Sequence, residues 1–178
     1  NIEYFTIATL GDGTDFGDLS VTRGSMGWAG SNTRMCMAGG RNLGTYYNTI
    51  DYVTIASTGN ATDFGDRTIT GQGPGAVSSS TRAVYGGGFN NSSSNVLDYI
   101  TIASTGNATD FGDLNSSGYY FGGMSNKTRG VFAGGSTATN VMDYITIAST
   151  GNAVDFGDMT ASIGRSNDGT GSNHGGIA

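Results

Sequence analysis

Asp98–Asp113 reads DYITIASTGNATDFGD, and the chain says this four times. Asp51–Asp66 is DYVTIASTGNATDFGD and Asp143–Asp158 is DYITIASTGNAVDFGD. Glu3–Asp18, EYFTIATLGDGTDFGD, is a looser copy. The phenylalanine of the ending falls at Phe16, Phe64, Phe111 and Phe156, in steps of 48, 47 and 45 residues. A fixed period in this range describes an architecture before it describes a site. Across Val96–Ile102, where the stretch begins, Val96, Asp98, Ile100 and Ile102 alternate with Leu97, Tyr99 and Thr101. Apolar side chains on both faces predict a strand covered on both sides. The Thr-Gly-Asn-Ala tetrapeptide supplies the residues a tight hairpin turn needs. DFGD then reads as the start of the returning strand.

Between the copies lie two further strands per unit. The first strands are Ser25–Gly30, Gly75–Ser78 and Tyr119–Met124. The second strands, Arg34–Ala38, Arg82–Tyr85 and Arg129–Ala133, run into Gly39-Gly40, Gly87-Gly88 and Gly134-Gly135. The third strands are expected over Thr49–Ser57, Val96–Ser104 and Val141–Ser149. The fourth are expected over Thr62–Arg67, Thr109–Leu114 and Val154–Met159. Ile2–Ala8 and Thr14–Leu19 form a leading pair. No segment carries a 3.6-residue apolar period, so the class is all-β. Four short up-and-down strands with Gly-Gly punctuation are the signal of a β-propeller blade. The repeat copies span residues 1–19, 20–67, 68–114 and 115–160, with a partial blade at 161–178. These make one domain, 1–178, of about four blades, each a four-stranded antiparallel sheet. Closure is expected if Ser162–Ala178 supplies the first two strands of the blade whose last two are Ile2–Leu19. That pairing would remove open sheet edges. Beginning with Asn and ending inside a repeat, the sequence is also read as a processed chain or a window onto a longer one.

The Gly-Gly pairs, followed by Tyr52, Tyr99 and Tyr144 and then by Phe64, Phe111 and Phe156, resemble the kelch repeat. In that family a hydrophobic strand ends in Gly-Gly, and a Tyr-bearing strand and a later aromatic follow. The resemblance implies a kelch-like propeller. The wording of the repeat also resembles tandem repeats in virion-associated proteins of marine tailed phages, cyanophages in particular. That resemblance implies a virion or extracellular location. It also implies partners among other virion or appendage proteins; host-surface glycan and a homo-oligomer are further expected partners.

Composition narrows the classes. Net charge is −6 and the 8 Lys and Arg are scattered, which argues against nucleic acid. No stretch approaches the ~20 apolar residues of a membrane-spanning helix, so no membrane insertion is expected. The kelch fold also hosts copper oxidases, but one histidine (His174) and one cysteine (Cys36) cannot build their site. The same lone histidine gives no basis for a catalytic triad. Asp-Phe-Gly is a kinase tripeptide, yet it has no Gly-rich loop, lysine or catalytic-loop motif beside it. The expectation is no enzyme, no catalytic residue, no cofactor and no metal. Calcium at Asp12, Asp15 and Asp18 is the alternative weighed for GDGTDFGD. The recurring Arg34, Arg82 and Arg129 are read as structural, and Cys36 as a core thiol.

The units differ most at Arg41–Asn48, Phe89–Asn95, Ser136–Asn140, Thr68–Pro74 and Asn115–Gly118. In an up-and-down sheet, alternate connections leave the same edge. All these variable loops therefore gather on one face of a rigid scaffold. The candidate ligand-binding residues there are Arg41, Asn42, Tyr46, Tyr47, Phe89, Asn90, Asn91, Tyr119 and Tyr120. The expected function is a non-enzymatic phage virion or fibre-type appendage protein, whose loops bind a host glycan or protein. A purely structural decoration module is the alternative. A glycan-active enzyme ranks third, since it needs a carboxylate pair in a cleft.

Overall fold

In the computed structural model, which describes residues 1–136 and 139–164, all regular structure is β. A leading hairpin pairs β1 (Ile2–Tyr4) with β2 (Thr14–Gly17). The first unit holds β3 (Gly27–Gly30), β4 (Arg34–Ala38), a small hairpin of β5 (Arg41–Asn42) and β6 (Thr45–Tyr46), then β7 (Thr49–Thr54) and β8 (Thr62–Asp66). The second holds β9 (Gly75–Ser78), β10 (Arg82–Phe89), β11 (Ser93–Thr101) and β12 (Thr109–Gly118). The third holds β13 (Gly122–Ser125), β14 (Arg129–Ala133), β15 (Thr139–Thr146) and β16 (Val154–Ile163). Each unit is one four-stranded antiparallel sheet in plain up-and-down order.

The DFGD wording has a local cause. Leu97 pairs with Gly112 and Asp98 with Asp110, so Phe111 is an extra residue in its strand. Phe64 and Phe156 are bulged in the same way. A bulge re-aims the side chain. Each phenylalanine turns edge-on to the tyrosine of the neighbouring strand: Tyr52–Phe64 at 5.7 Å, Tyr99–Phe111 at 5.9 Å and Tyr144–Phe156 at 6.0 Å. The recurring arginines stand over the same tyrosine rings. Arg34, Arg82 and Arg129 lie 4.4–4.5 Å from the ring centres, a cation–π contact worth about 0.5–2 kcal/mol.

The sheets stack face to face. Phe64, Cys36 and Ile50 of the first sheet pack on Tyr85, Ile100 and Ile102 of the second. Leu97, Val84 and Phe111 of the second pack on Phe132, Ile145 and Ile147 of the third. The two faces of the DYITI strand thus enter two different cores, as its alternation predicts. The first strands lie side by side: Ser78 Oγ donates to Gly30 O at 2.9 Å, and Ser78 N donates to Ser125 Oγ at 3.3 Å. Burial pushes the Cys36 thiol up to about 12, against a smaller opposing pull from Arg34. The thiolate is the reactive form. Cys36 is therefore expected to ignore a thiol reagent at pH 8 in the folded protein and to react fully in denaturant. A colorimetric thiol assay with and without urea checks this.

Several strand boundaries differ from the sequence expectations. The third strands stop at Thr54, Thr101 and Thr146, because the next residues turn back. Ser57 N donates to Thr54 O, Ser104 N to Thr101 O and Ser149 N to Thr146 O, each near 3.0 Å. Ile2–Ala8 shortens to Ile2–Tyr4 for the same reason, with Thr9 N on Thr6 O. The first strands begin at Gly27 and Gly122, later than expected. Arg41–Asn48 is a two-residue hairpin and not an open loop. Leu43 and Gly44 both take positive φ, 44° and 95°, as such a turn requires. β10 and β11 run on past Gly88 to a tip at Asn90–Ser92, so Phe89 and Ser93 pair. That extension gives β12 a partner, Ser94 with Gly118, and β12 outruns its expected end at Leu114. β16 likewise reaches Ile163, past the unit boundary at 160, paired to Thr139. The remainder of the expected closing pair, from residue 165 on, lies outside the described residues. Among those described, β1 and β2 pair with no strand of the third sheet.

Candidate functional site

The loop face is built on buried ion pairs. Asp51, Asp98 and Asp143 lie within the third strand of each sheet and are buried. Each accepts hydrogen bonds from the segment that leaves the preceding sheet. Ser20 supplies its amide and hydroxyl to Asp51, Thr68 its amide and hydroxyl to Asp98, and Asn115 its amide and side chain to Asp143. Arg23 Nη1 meets Asp51 at 2.8 Å and Arg67 Nε meets Asp98 at 3.0 Å, with all four side chains fully buried. The guanidinium groups also donate to the carbonyls of Gly39 (2.8 Å) and Gly87 (3.2 Å). They therefore fix the Gly-Gly segments of the second strands, from which the variable connections lead. Arg67 also lies 5.9 Å from the buried Tyr85 ring, whose hydroxyl is held above its ordinary pKa chiefly by burial, with the Cys36 and Asp98 charges adding and Arg67 opposing. Neither Arg23 nor Arg67 stands out in the sequence, since they follow DFGD at different offsets. The signal that could have found them is an Asp repeated inside an apolar strand, which needs a cationic or multi-donor partner.

Above this base the connections bring five of the nine candidate residues into a row. Arg41 stands 5.2 Å over the Tyr46 ring. Tyr46 meets Phe89 at 6.1 Å, Phe89 meets Tyr119 at 4.8 Å, and Tyr119 meets Tyr120 at 5.0 Å. Tyr120 Oη donates to Ser25 Oγ at 3.1 Å. The rings are half-buried and Arg41 is exposed. The other candidates stand off the row. Asn90 and Asn91 are exposed at the β10–β11 tip, where Asn91 Nδ2 donates to Asn90 Oδ1 at 3.1 Å. Asn42 sits in the small hairpin opposite Thr45. Tyr47 is tied by its backbone to Gly40 and Gly71. Sequence reasoning missed Ser25, Gln72 and Gly73. Gln72 bridges Phe89, and Gly73 accepts from the Tyr120 amide at 2.6 Å.

Backbone strain concentrates at the same place. Among the described residues, the non-glycine positions with positive φ are Ser25, Leu43, Asn91 and Tyr120, at 44° to 62°. All four lie in connections of the variable face. Strain of this kind costs about 1–3 kcal/mol per residue and gathers at binding sites.

No protein-family model and no curated protein matches the chain. The calcium alternative gains no geometry, because among the described residues no three metal-ligating side chains converge. At least two of the first Asp residues of DFGD hold their own turn. Asp63 accepts from Gly65 N at 3.2 Å and Asp155 from Gly157 N at 3.0 Å. Arg34 and Arg82 have the structural role expected of them, each donating to a carbonyl of the next sheet, Ile102 at 2.9 Å and Ile147 at 3.2 Å.

Proposed function

We propose that the stacked sheets are blades of a kelch-like β-propeller of about four blades. On this reading the protein is a non-enzymatic virion or fibre-type appendage protein that binds host-surface glycan through its variable-loop face. The observation that carries the binding site is the row Arg41–Tyr46–Phe89–Tyr119–Tyr120. It is drawn from the connections of successive units and rests on buried Arg–Asp pairs. Flat aromatic rings offer contact area at little entropic cost, and the Arg41 guanidinium at the end of the row supplies directed hydrogen bonds. The side-by-side first strands support the propeller. The likeness of the repeat wording to phage tandem repeats supports the virion setting.

A glycan array tests the site. Wild-type protein is expected to bind a restricted set of glycans. Phe89→Ala, at the centre of the row, is expected to weaken binding tenfold or more, about 1.4 kcal/mol. Asn90→Ala at the hairpin tip is expected to change it little. Full binding by Phe89→Ala together with Tyr119→Ala would refute the site. No binding by the wild type to any glycan would favour the structural decoration module.

A further inference from the structure

The repeat wording forms a latch between sheets. In the turn after the third strand, Gly59 N donates to Phe16 O at 2.7 Å and Ala61 N to Asp18 O at 2.8 Å, while Asn60 Oδ1 accepts from Asp18 N at 3.0 Å. The same three bonds join Gly106-Asn107-Ala108 to Phe64–Asp66, and Gly151-Asn152-Ala153 to Phe111–Asp113. The isoleucine before each of the last two turns seals the contact. Ile102 is 2% exposed and Ile147 1%. Each gives its carbonyl to the arginine of the sheet before it.

The third sheet carries the receiving half of this latch, and among the described residues nothing occupies it. Phe156 is 48% exposed, against 3% for Phe64 and 2% for Phe111. Among the described residues, nothing lies within 4 Å of a Cβ at Gly157, where Gly65 and Gly112 each touch the next turn. Among the described residues, the Arg129 guanidinium has the Tyr144 ring and no carbonyl. Met124, Arg129, Val131 and Phe156 line an open apolar depression of about 370 Å³. The inserting half is equally vacant at the other end. Glu3–Gly13 is the leading copy of the same wording, and its Ile7, aligned with Ile102 and Ile147, is 93% exposed. Gly11-Asp12-Gly13 replaces Gly-Asn-Ala without losing a donor or acceptor: two amides remain, and the Asp12 carboxylate accepts where Asn60 did.

We propose that Glu3–Gly13 of a second copy of this chain docks on the third sheet. Ile7 fills the depression and gives its carbonyl to Arg129. Gly11 N and Gly13 N donate to the carbonyls of Phe156 and Asp158, and Asp158 N donates to Asp12. The surfaces are two different patches on one chain, so the contact is head-to-tail and builds a ring or a filament. The remaining chain after residue 164 offers one large apolar residue, Ile177, and no copy of the inserting wording, so it is the poorer occupant.

The test uses the full chain. Light scattering after gel filtration is expected to show mass rising with concentration, and Ile7→Glu is expected to weaken this association tenfold or more. Because Ile7 is exposed in the single chain, that variant keeps the wild-type melting temperature at dilutions where the wild type is monomeric. Asp12→Cys protein mixed with Asp158→Cys protein is expected to yield a covalent dimer with a short bismaleimide, the buried Cys36 staying silent. Three results would overturn the proposal: a cross-linked monomer from the doubly substituted chain at every dilution, which is closure within one chain; a constant monomer mass with no cross-link; or association unchanged in Ile7→Glu.

Discussion

Gly112→Val is expected to destabilise the protein by about 3–5 kcal/mol, in the range where single substitutions unfold a domain. Gly112 has φ of 141°, and a Cβ there would sit 2.5 Å from the carbonyl carbon and oxygen of Gly151. Those are backbone atoms of the next turn, so no side chain can swing aside. The latch bonds Gly151 N to Phe111 O and Ala153 N to Asp113 O must stretch or break. Dihedral strain adds about 1–3 kcal/mol and forced overpacking about 1–3 more. Gly157→Val is the internal control. Its φ is 130°, but among the described residues no atom lies within 4 Å of a Cβ there. Only the dihedral strain applies, and the expected loss is about 1–3 kcal/mol. Urea melts followed by circular dichroism compare the two, and equal midpoints would show that the latch contributes nothing.

Asp98→Ala should cost about 3–5 kcal/mol, the usual effect of removing one partner of a buried ion pair. Arg67 would keep its charge with no countercharge, and both donors of Thr68 would lose their acceptor. Asp143→Ala is expected to cost less, about 1–3 kcal/mol, because the orphaned partners are a neutral amide and a backbone N–H from Asn115. Melts of both variants give the order. If Asp143→Ala were the more damaging, the buried arginine would not be the reason for the difference.

The sheets were legible in the sequence because the wording that makes them repeats, and repetition cancels the noise of single positions. The alternation in Val96–Ile102 foretold two cores, and Leu97 and Ile100 do enter different ones. The DFGD bulge was not legible, since a bulge shows only in the partner register. Nor was the function of Thr-Gly-Asn-Ala. It reads as a hairpin turn and is one, but its amides serve the sheet before it, and nothing local announces a partner 42 residues away. At the loop face the aromatic residues could be nominated because they interrupt the repeat. Their order in a row depends on Phe89 being held in an extended strand by Gln72, a long-range pairing without a sequence mark. Tyr47, Asn90 and Asn91 looked equivalent to their neighbours and stand off the row, because Tyr47 falls between β6 and β7 and the two asparagines fall at the β10–β11 tip.

The two backbone bonds of each latch carry a last consequence. Main-chain amides and carbonyls are the same in every copy, so the joint does not record which copy it belongs to. A unit duplicated or deleted in the gene would meet its new neighbour with the same amides and carbonyls in place. Such a scaffold can change length by copying without relearning how to fold, and variation is left to the connections that the joint never touches.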